Sequence, residues 1–415
     1  MASGPPVTDP TIDLSDAATF VDGFPHDAFT RWRAEQPVFW HEPSDHTPGG
    51  VGFWVVTRHA DACAVMKDPV TYSSGLGGTT ISDSPGAGIM LNMTDDPHHR
   101  RLRSVVNKGF TPRAIGRLED DLRRRAATIV AAVPDGEPFD FVEHIAQELP
   151  LQAICSILGV PQSQRLELLH IVDAAAANDS GEVFDPELVR VLSAHGARII
   201  AEKRANPADD ILSVIVHAGD DDGEEPLSDR ELRAFFNLLF PAGAETTRSA
   251  IAGAVLAFAE FPDEEGRLRA DRSLMRSAVE EIVRWTSPSV YKRRTVTSDT
   301  ELGGARLRAG DKLTYWEMSA NRDETVFVDP FRLDVGRDPN PHVGFGLGTH
   351  FCLGASLARL ELRVMLEELF ERFASLAVVG PPTWSRNNRL VGVTHLEVVG
   401  RPHHGKGDER PWART

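Results

Sequence analysis

The chain has 415 residues, 41% of them hydrophobic, and carries 44 Lys+Arg against 61 Asp+Glu for a formal net charge of −17. That charge argues against nucleic acid and anionic membranes as partners, and the apolar fraction is ample for a core at this length. Three cysteines, Cys63, Cys155 and Cys352, are odd in number and far apart, which excludes a disulfide framework and points to a reducing cytoplasm.

Residues 1–10 read as neither a signal peptide nor an anchor. The longest apolar stretch, Ala250–Ala259, is too short to span a bilayer. No linker, low-complexity tract or repeat divides the chain, so one domain over residues 1–415 is expected, with flexible ends at 1–10 and 403–415. Phe53–Thr57 is the first strand signal. The segment Ser73–Met93 is rich in Gly and Ser and reads as a mobile loop; Met90, Leu91 and Met93 at its end form either an adaptable apolar wall or ordinary packing. Pro97–Arg125 reads as two helices broken at Thr111-Pro112. From His98 to Arg125 there are nine Lys/Arg against three Asp/Glu, a local exception to the acidic balance.

Ser228-Asp-Arg-Glu231 is a capping box, and an apolar-rich helix runs from it to about Phe261, where Pro262 stops it. That is about 34 residues, or roughly 50 Å. Ala242-Gly-Ala-Glu-Thr-Thr247 sits at its centre. A threonine there can bond the carbonyl one turn back, and Gly243 adds room. Glu245 and Thr246 suit a proton relay, although an ordinary helix also accommodates them. Pro241 removes one N–H and clashes near Asn237, so a kink is expected there. Ser273–Trp285 is a second helix, on which Glu281 and Arg284 share a face as an ion pair. Thr295–Leu302, Lys312–Trp316 and Leu396–Val399 are strand candidates. Cys352–Phe373 reads as a third helix, preceded by a glycine-rich loop. The fold class expected is mainly α with a small, mainly antiparallel β region (α+β).

In that loop, Phe345-Gly-Leu-Gly-Thr-His-Phe-Cys-Leu-Gly354, Gly346 and Gly348 permit a tight bend that can aim N–H groups at Cys352. The following helix start favours thiolate over thiol, and Gly354 leaves space for something flat and large. A buried structural cysteine in a turn before a helix is the competing reading of the loop. The pattern resembles the haem-binding signature of the cytochrome P450 monooxygenases, F-x-x-G-x-x-x-C-x-G, with Phe345, Gly348, Cys352 and Gly354 in its fixed positions. Ala242, Gly243, Glu245, Thr246 and Thr247 match the family's A-G-x-[DE]-T-[TS] motif. Asp96-Pro-His-His-Arg-Arg-Leu-Arg103 resembles its D-P-x-H-x-x-x-R segment, and Ala320-Asn-Arg-Asp323 its A-N-R-D turn. The likeness covers about residues 20–400, with the motifs in family order.

The resemblance implies a P450 fold and haem b (iron protoporphyrin IX), with Cys352 as the axial iron ligand. It places Phe345, Gly346, Ala242 and Gly243 against the haem. It assigns His99, Arg103, Arg294 and His350 to the propionates, Thr246 to steadying the reacting oxygen, and Glu245 to proton delivery. Glu281 and Arg284 would form a structural network with an arginine from the Pro330-Phe-Arg-Leu333 segment, where Leu333 replaces the family's Phe; Arg332 is the candidate and Arg337 the fallback. Ser289, Val290 and Tyr291 occupy a family position that faces substrate, and the Ser73–Met93 loop resembles the family's lid.

No cysteine cluster and no G-x-G-x-x-G after a strand is fused to the chain, so a separate ferredoxin and an NAD(P)H ferredoxin reductase are implied, besides O2 and a small apolar substrate. The basic stretch is a candidate docking face for an acidic ferredoxin, with Arg100, Arg101 and Lys108 as test positions; propionate pairing and solvated helix faces also explain such charges. The Asn340-Pro-His-Val-Gly-Phe run looks like actinobacterial members acting on steroid side chains and methyl-branched lipids. Hydroxylation of an apolar substrate is the leading expectation. Oxidative coupling or cyclisation, a peroxygenase and a non-catalytic haem sensor are the alternatives; the Glu245–Thr246 relay argues against the peroxygenase.

Overall fold

A computed structural model describes residues 12–176, 186–218 and 225–403. Of the expected flexible ends at 1–10 and 403–415, all but His403 lie outside the described residues. His403 is described, with its Nε2 3.2 Å from the Phe370 carbonyl.

The long helix spans Asp229–Glu260 and opens on the expected capping box: Ser228 accepts from the Glu231 N–H, and the Glu231 carboxylate accepts from the Ser228 N–H. Phe236, Phe240, Ile251, Ala252 and Ala254 along it are all buried, because it crosses the interior and packs against Glu148–Leu158, Pro186–Ala205, Met275–Thr286 and Ala355–Arg372. Pro241 lies inside it, and the helix continues on both sides. Next to the carbonyl that Pro241 deprives of a donor, the Asn237 side chain donates to Ser193 Oγ at 2.6 Å.

The second helix spans Met275–Thr286 behind a short turn at Arg272–Leu274. It stops at Ser287, whose φ of 33° is left-handed, and whose hydroxyl donates to the Arg284 carbonyl. The third helix begins at Ala355 rather than Cys352, because Cys352–Gly354 belong to the preceding loop. The basic segment forms three helices where two were expected: His98–Asn107, Pro112–Gly116 and Glu119–Ala132. Thr111 caps the middle one, accepting from the Ala114 N–H with Pro112 in the first turn.

Five strands form the main sheet, in the order Val38–His41, Phe53–Val56, Lys312–Trp316, Tyr291–Val296 and Tyr72–Ser73. Its pairs are antiparallel except Phe53–Val56 with Lys312–Trp316, which run parallel with Trp54 opposite Leu313. The strand expected over Thr295–Leu302 is split: Tyr291–Val296 ends at a bend, and Thr300–Leu302 pairs instead with Ala305–Leu307. The strand expected at Leu396–Val399 is Glu397–Pro402, the centre of a three-stranded sheet with Pro138–Asp140 and Phe373–Val378. A small hairpin, Thr383–Trp384 with Val393–His395, carries a tip that reaches back to Ser289. No helix among the described residues is long and apolar enough to cross a membrane.

Candidate active site

Gly346 and Gly348 take φ of 68° and 67°, so the loop bends where side chains would be strained. A Cβ on Gly348 would also lie 2.9 Å from the Met66 carbonyl oxygen. The bend closes with the Cys352 N–H donating to the Phe345 carbonyl at 2.9 Å. Gly354 has an ordinary φ of −83°, and a Cβ there would meet nothing within 4 Å. Its lack of a side chain therefore keeps cavity space open rather than easing the backbone.

Cys352 is exposed, yet to an internal cavity and not to bulk water. Burial pushes its thiol pKa up, against the pull of the Gly354 N–H, Arg103 and Lys292. The helix starts three residues on, and one N–H does not offset the burial.

Glu281 and Arg284 are fully buried and doubly bonded, both at 2.7 Å. Arg284 also donates to the Asn321 and Pro330 carbonyls at 2.8 and 2.9 Å. The third member of the network is Arg337, whose Nε lies 3.1 and 3.0 Å from the two Glu281 oxygens. Arg332, the first candidate, points outward to Asp263 at 2.8 Å with its side chain 55% exposed; only its carbonyl joins the network, accepting from Arg284 and Arg337. Asn340 donates to Glu281 at 3.1 Å. Beside this network Glu280 holds His342 at 2.9 Å and Arg359 at 2.6 Å, and its carboxyl is lowered to about 2: these two bonds outweigh the opposing effect of burial. It thus ties the second helix to the loop and to the helix after it. Sequence reading missed Glu280, His342, Arg359 and Asn340, although Glu280 adjoins Glu281.

On the long helix, Thr246 Oγ1 donates to the Ala242 carbonyl at 2.9 Å, the backward bond expected from sequence. Gly243 fits against Ile154, whose Cδ1 would lie 2.9 Å from a Cβ, so its first effect is close helix packing. Glu245 is 7% exposed. Burial lifts its pKa to about 7, while Arg389 and Arg248 pull it down.

His99, Arg103, Arg294 and His350 converge on the same cavity. The two imidazoles lie 4.3 Å apart, and both are kept neutral: burial is the main cause, with arginines adding to it, and His350 falls to about 2. Both His99 nitrogens and His350 Nε2 are buried without a hydrogen-bond partner; Asp96 stays 3.7 Å from His99. Arg294 is buried, donates to the neighbouring Arg293 carbonyl, and has no carboxylate within 4 Å among the described residues.

The cavity measures about 330 Å3. It gathers Phe345, Gly346, Cys352, Ala242, Gly243, Glu245 and Thr246 with the four propionate candidates and Met90, Leu91 and Met93. Val290 and Tyr291 do not line it. Both are fully buried in a cluster with Phe29 and Trp316, and the Tyr291 hydroxyl accepts from the Ile81 N–H. Ser289, the first residue of that expected run, does line it, and Lys292 joins it.

A family model described as Cytochrome P450 matches residues 187–395. Cytochrome P450 126 of Mycobacterium tuberculosis is 52% identical over 400 residues, covering 93% of this chain and 97% of that protein. The chain belongs to the cytochrome P450 family. The steroid C26-monooxygenase of the same organism is 37% identical over 405 residues, covering 94% of this chain and 92% of that protein. Among solved structures, Mycobacterium marinum cytochrome P450 CYP268A2 in complex with pseudoionone superposes with a TM-score of 0.86 at 36% identity, covering 96% of this chain and all of that one.

This P450 is therefore a monooxygenase, and the family implies a haem cofactor. The residues present fit one. His99 and His350 offer buried nitrogens without partners, buried Arg294 and half-buried Arg103 have no carboxylate within 4 Å among the described residues, and Gly354 opens a space beside a cavity-facing sulfur.

Proposed function

We propose that this P450, one domain over residues 1–415 working in the cytoplasm, hydroxylates an apolar molecule at a haem b held by Cys352. The reading rests on one observation: the Cys352 sulfur, the Glu245–Thr246 pair and an apolar wall share a single cavity. When bound, thiolate-ligated haem supplies reductive activation of dioxygen. His99, Arg103, Arg294 and His350 would hold the propionates, and Phe345, Gly346, Ala242 and Gly243 would frame the ring. The overall change consumes substrate, O2, two electrons and two protons, and yields alcohol and water.

The protein's task is to deliver those protons on time. The Thr246 hydroxyl, fixed by the Ala242 carbonyl, presents its oxygen to the cavity. Glu245, poised at about 7, gives up and regains a proton near neutrality at little cost. Met90, Leu91 and Met93 supply an adaptable apolar surface to the substrate. The electrons come from a separate ferredoxin and its NAD(P)H reductase. The substrate class favoured is a steroid, terpenoid or methyl-branched lipid, in keeping with the relative named a steroid C26-monooxygenase.

The test is the absorption spectrum of purified protein, reduced and exposed to carbon monoxide. A Soret band shifted far to the red is expected, and Cys352→Ala should abolish it together with the reaction. A band at the position typical of histidine ligation, or no haem band after reconstitution, would refute the assignment.

A further inference from the structure

Among the cations lining the cavity, Arg389 stands apart. Lys292 is 3.5 Å from Glu317 and also donates to Ser289. Arg248, just outside, pairs with Asp173 at 3.2 Å. Arg103 and Arg294 answer to the propionates in the reading above. Arg389 lines the cavity but has no carboxylate within 4 Å among the described residues. Its nearest anion in effect is Glu245, which burial keeps half neutral at about 7.

Its backbone is firmly placed. Arg389 forms the hairpin tip, where the Val290 N–H donates to its carbonyl at 2.9 Å and its own N–H donates to Asn387 Oδ1 at 2.8 Å. The Leu390 N–H shares that Asn387 oxygen, and Ser385 Oγ donates to the Leu390 carbonyl. On the outer side Asn388 reaches the Leu14 and Ser15 carbonyls at 3.3 and 3.2 Å. A tip held on both sides places Arg389 in the lining of a cavity whose apolar surface includes Leu390, Leu91 and Pro241.

A half-buried cation without a counter-ion is costly, and a planar guanidinium is matched best by a carboxylate. A phosphate dianion needs a second free cation, and Lys292 is already engaged with Glu317. We propose that Arg389 recognises a carboxylate on the substrate, so that this P450 acts on an amphipathic acid rather than on a neutral hydrocarbon skeleton. The proposal rests on the haem-thiolate reading and narrows its substrate class.

The test uses the holoenzyme and the Soret shift that follows water displacement from iron. Dodecanoic acid and a cholenoic acid are each titrated beside their methyl esters, into wild type, Arg389→Leu and Arg389→Lys. At least one acid should bind about ten-fold more tightly than its ester, a gap of ~1.4 kcal/mol. Arg389→Leu should erase that gap by weakening the acid alone, and Arg389→Lys should keep part of it. Acid and ester binding alike to wild type, equal weakening of both by Arg389→Leu, or no shift with either acid would overturn the proposal. The reduced carbon-monoxide band is recorded for each variant. Its absence in wild type marks failure of the haem-thiolate reading, and its presence leaves any failure with Arg389.

Discussion

Thr246 and Glu361 show how single side chains set the protonation behaviour of the interior. Thr246 bonds its own helix at the Ala242 carbonyl, so replacing it by alanine removes a cavity hydroxyl without disturbing the fold. Thr246→Ala should keep haem and substrate binding but lower product formed per reducing equivalent by roughly 10–100-fold, with the difference appearing as hydrogen peroxide. Full coupling in that variant would remove Thr246 from the relay. Glu361, on the helix after Cys352, is buried, touches the Thr247 hydroxyl, and is lifted to about 8 by burial, with Oε2 unpartnered. Because its folded pKa lies above the unfolded one, its neutral form suits the fold. Stability is then full below the ordinary carboxylate range and falls as pH rises toward 8. Glu361→Gln stays neutral, so its stability advantage over wild type, read from the thermal midpoint, should grow from pH 5 to pH 8 and reach on the order of a few kcal/mol at the upper end. A margin that does not change with pH would show that Glu361 is not held neutral.

At the level of elements, the Glu281 network explains which parts of the site were legible in the sequence. Glu281 and Arg284 were readable because helical spacing alone brings them together. The third partner was not, because a left-handed turn at Asp329, with φ 46°, and the hydrogen-bonded turn from Asp334 to Arg337 decide which arginine faces inward. Arg332 and Arg337 therefore differ in a way that mutation should reveal. Arg337→Ala strands part of a buried carboxylate and should cost roughly 3–5 kcal/mol, seen as early haem loss on heating. Arg332→Ala cuts an exposed pair and should change stability by less than about 1 kcal/mol. Equal effects would mean the network does not depend on Arg337. Tyr291 failed as a substrate-facing position for a simpler reason. In the strand Tyr291–Val296, alternation sends Lys292 and Arg294 to the cavity, and Tyr291 and Arg293 to the other face. Once Arg294 was placed at the haem, period two already excluded Tyr291. The cysteine loop, the long helix and its capping box were legible because each is written in a contiguous run; the hairpin tip that brings in Arg389 is a tertiary contact with no local signal.

Over the whole molecule, the question is where an acidic electron donor meets a protein of net charge −17. The cations of the basic stretch differ in how they are paired. Arg100 pairs with Asp96, and Arg101 with Glu231 at the start of the long helix. Arg123 joins Glu119 and Glu367, and Arg363 joins Glu119. Arg113 and Arg117, at the short helix Pro112–Gly116, are exposed and have no carboxylate within 4 Å among the described residues. That helix packs on Ala355–Arg372, the helix that follows Cys352, so it lies on a short route to the sulfur. Free cations near that route attract an acidic partner, whereas paired ones are already neutralised at short range. Charge reversal of Arg113 and Arg117 together should slow ferredoxin-driven reduction about ten-fold at low salt, and the deficit should shrink as ionic strength rises. Substrate-induced Soret shifts should stay as in wild type. Arg100→Glu, by contrast, gives up a surface pair and should have the smaller effect. Stopped-flow reduction rates across a salt series decide between them: an equal loss for both variants would restore the whole basic stretch as the docking face, and no loss for Arg113 and Arg117 would move the face elsewhere.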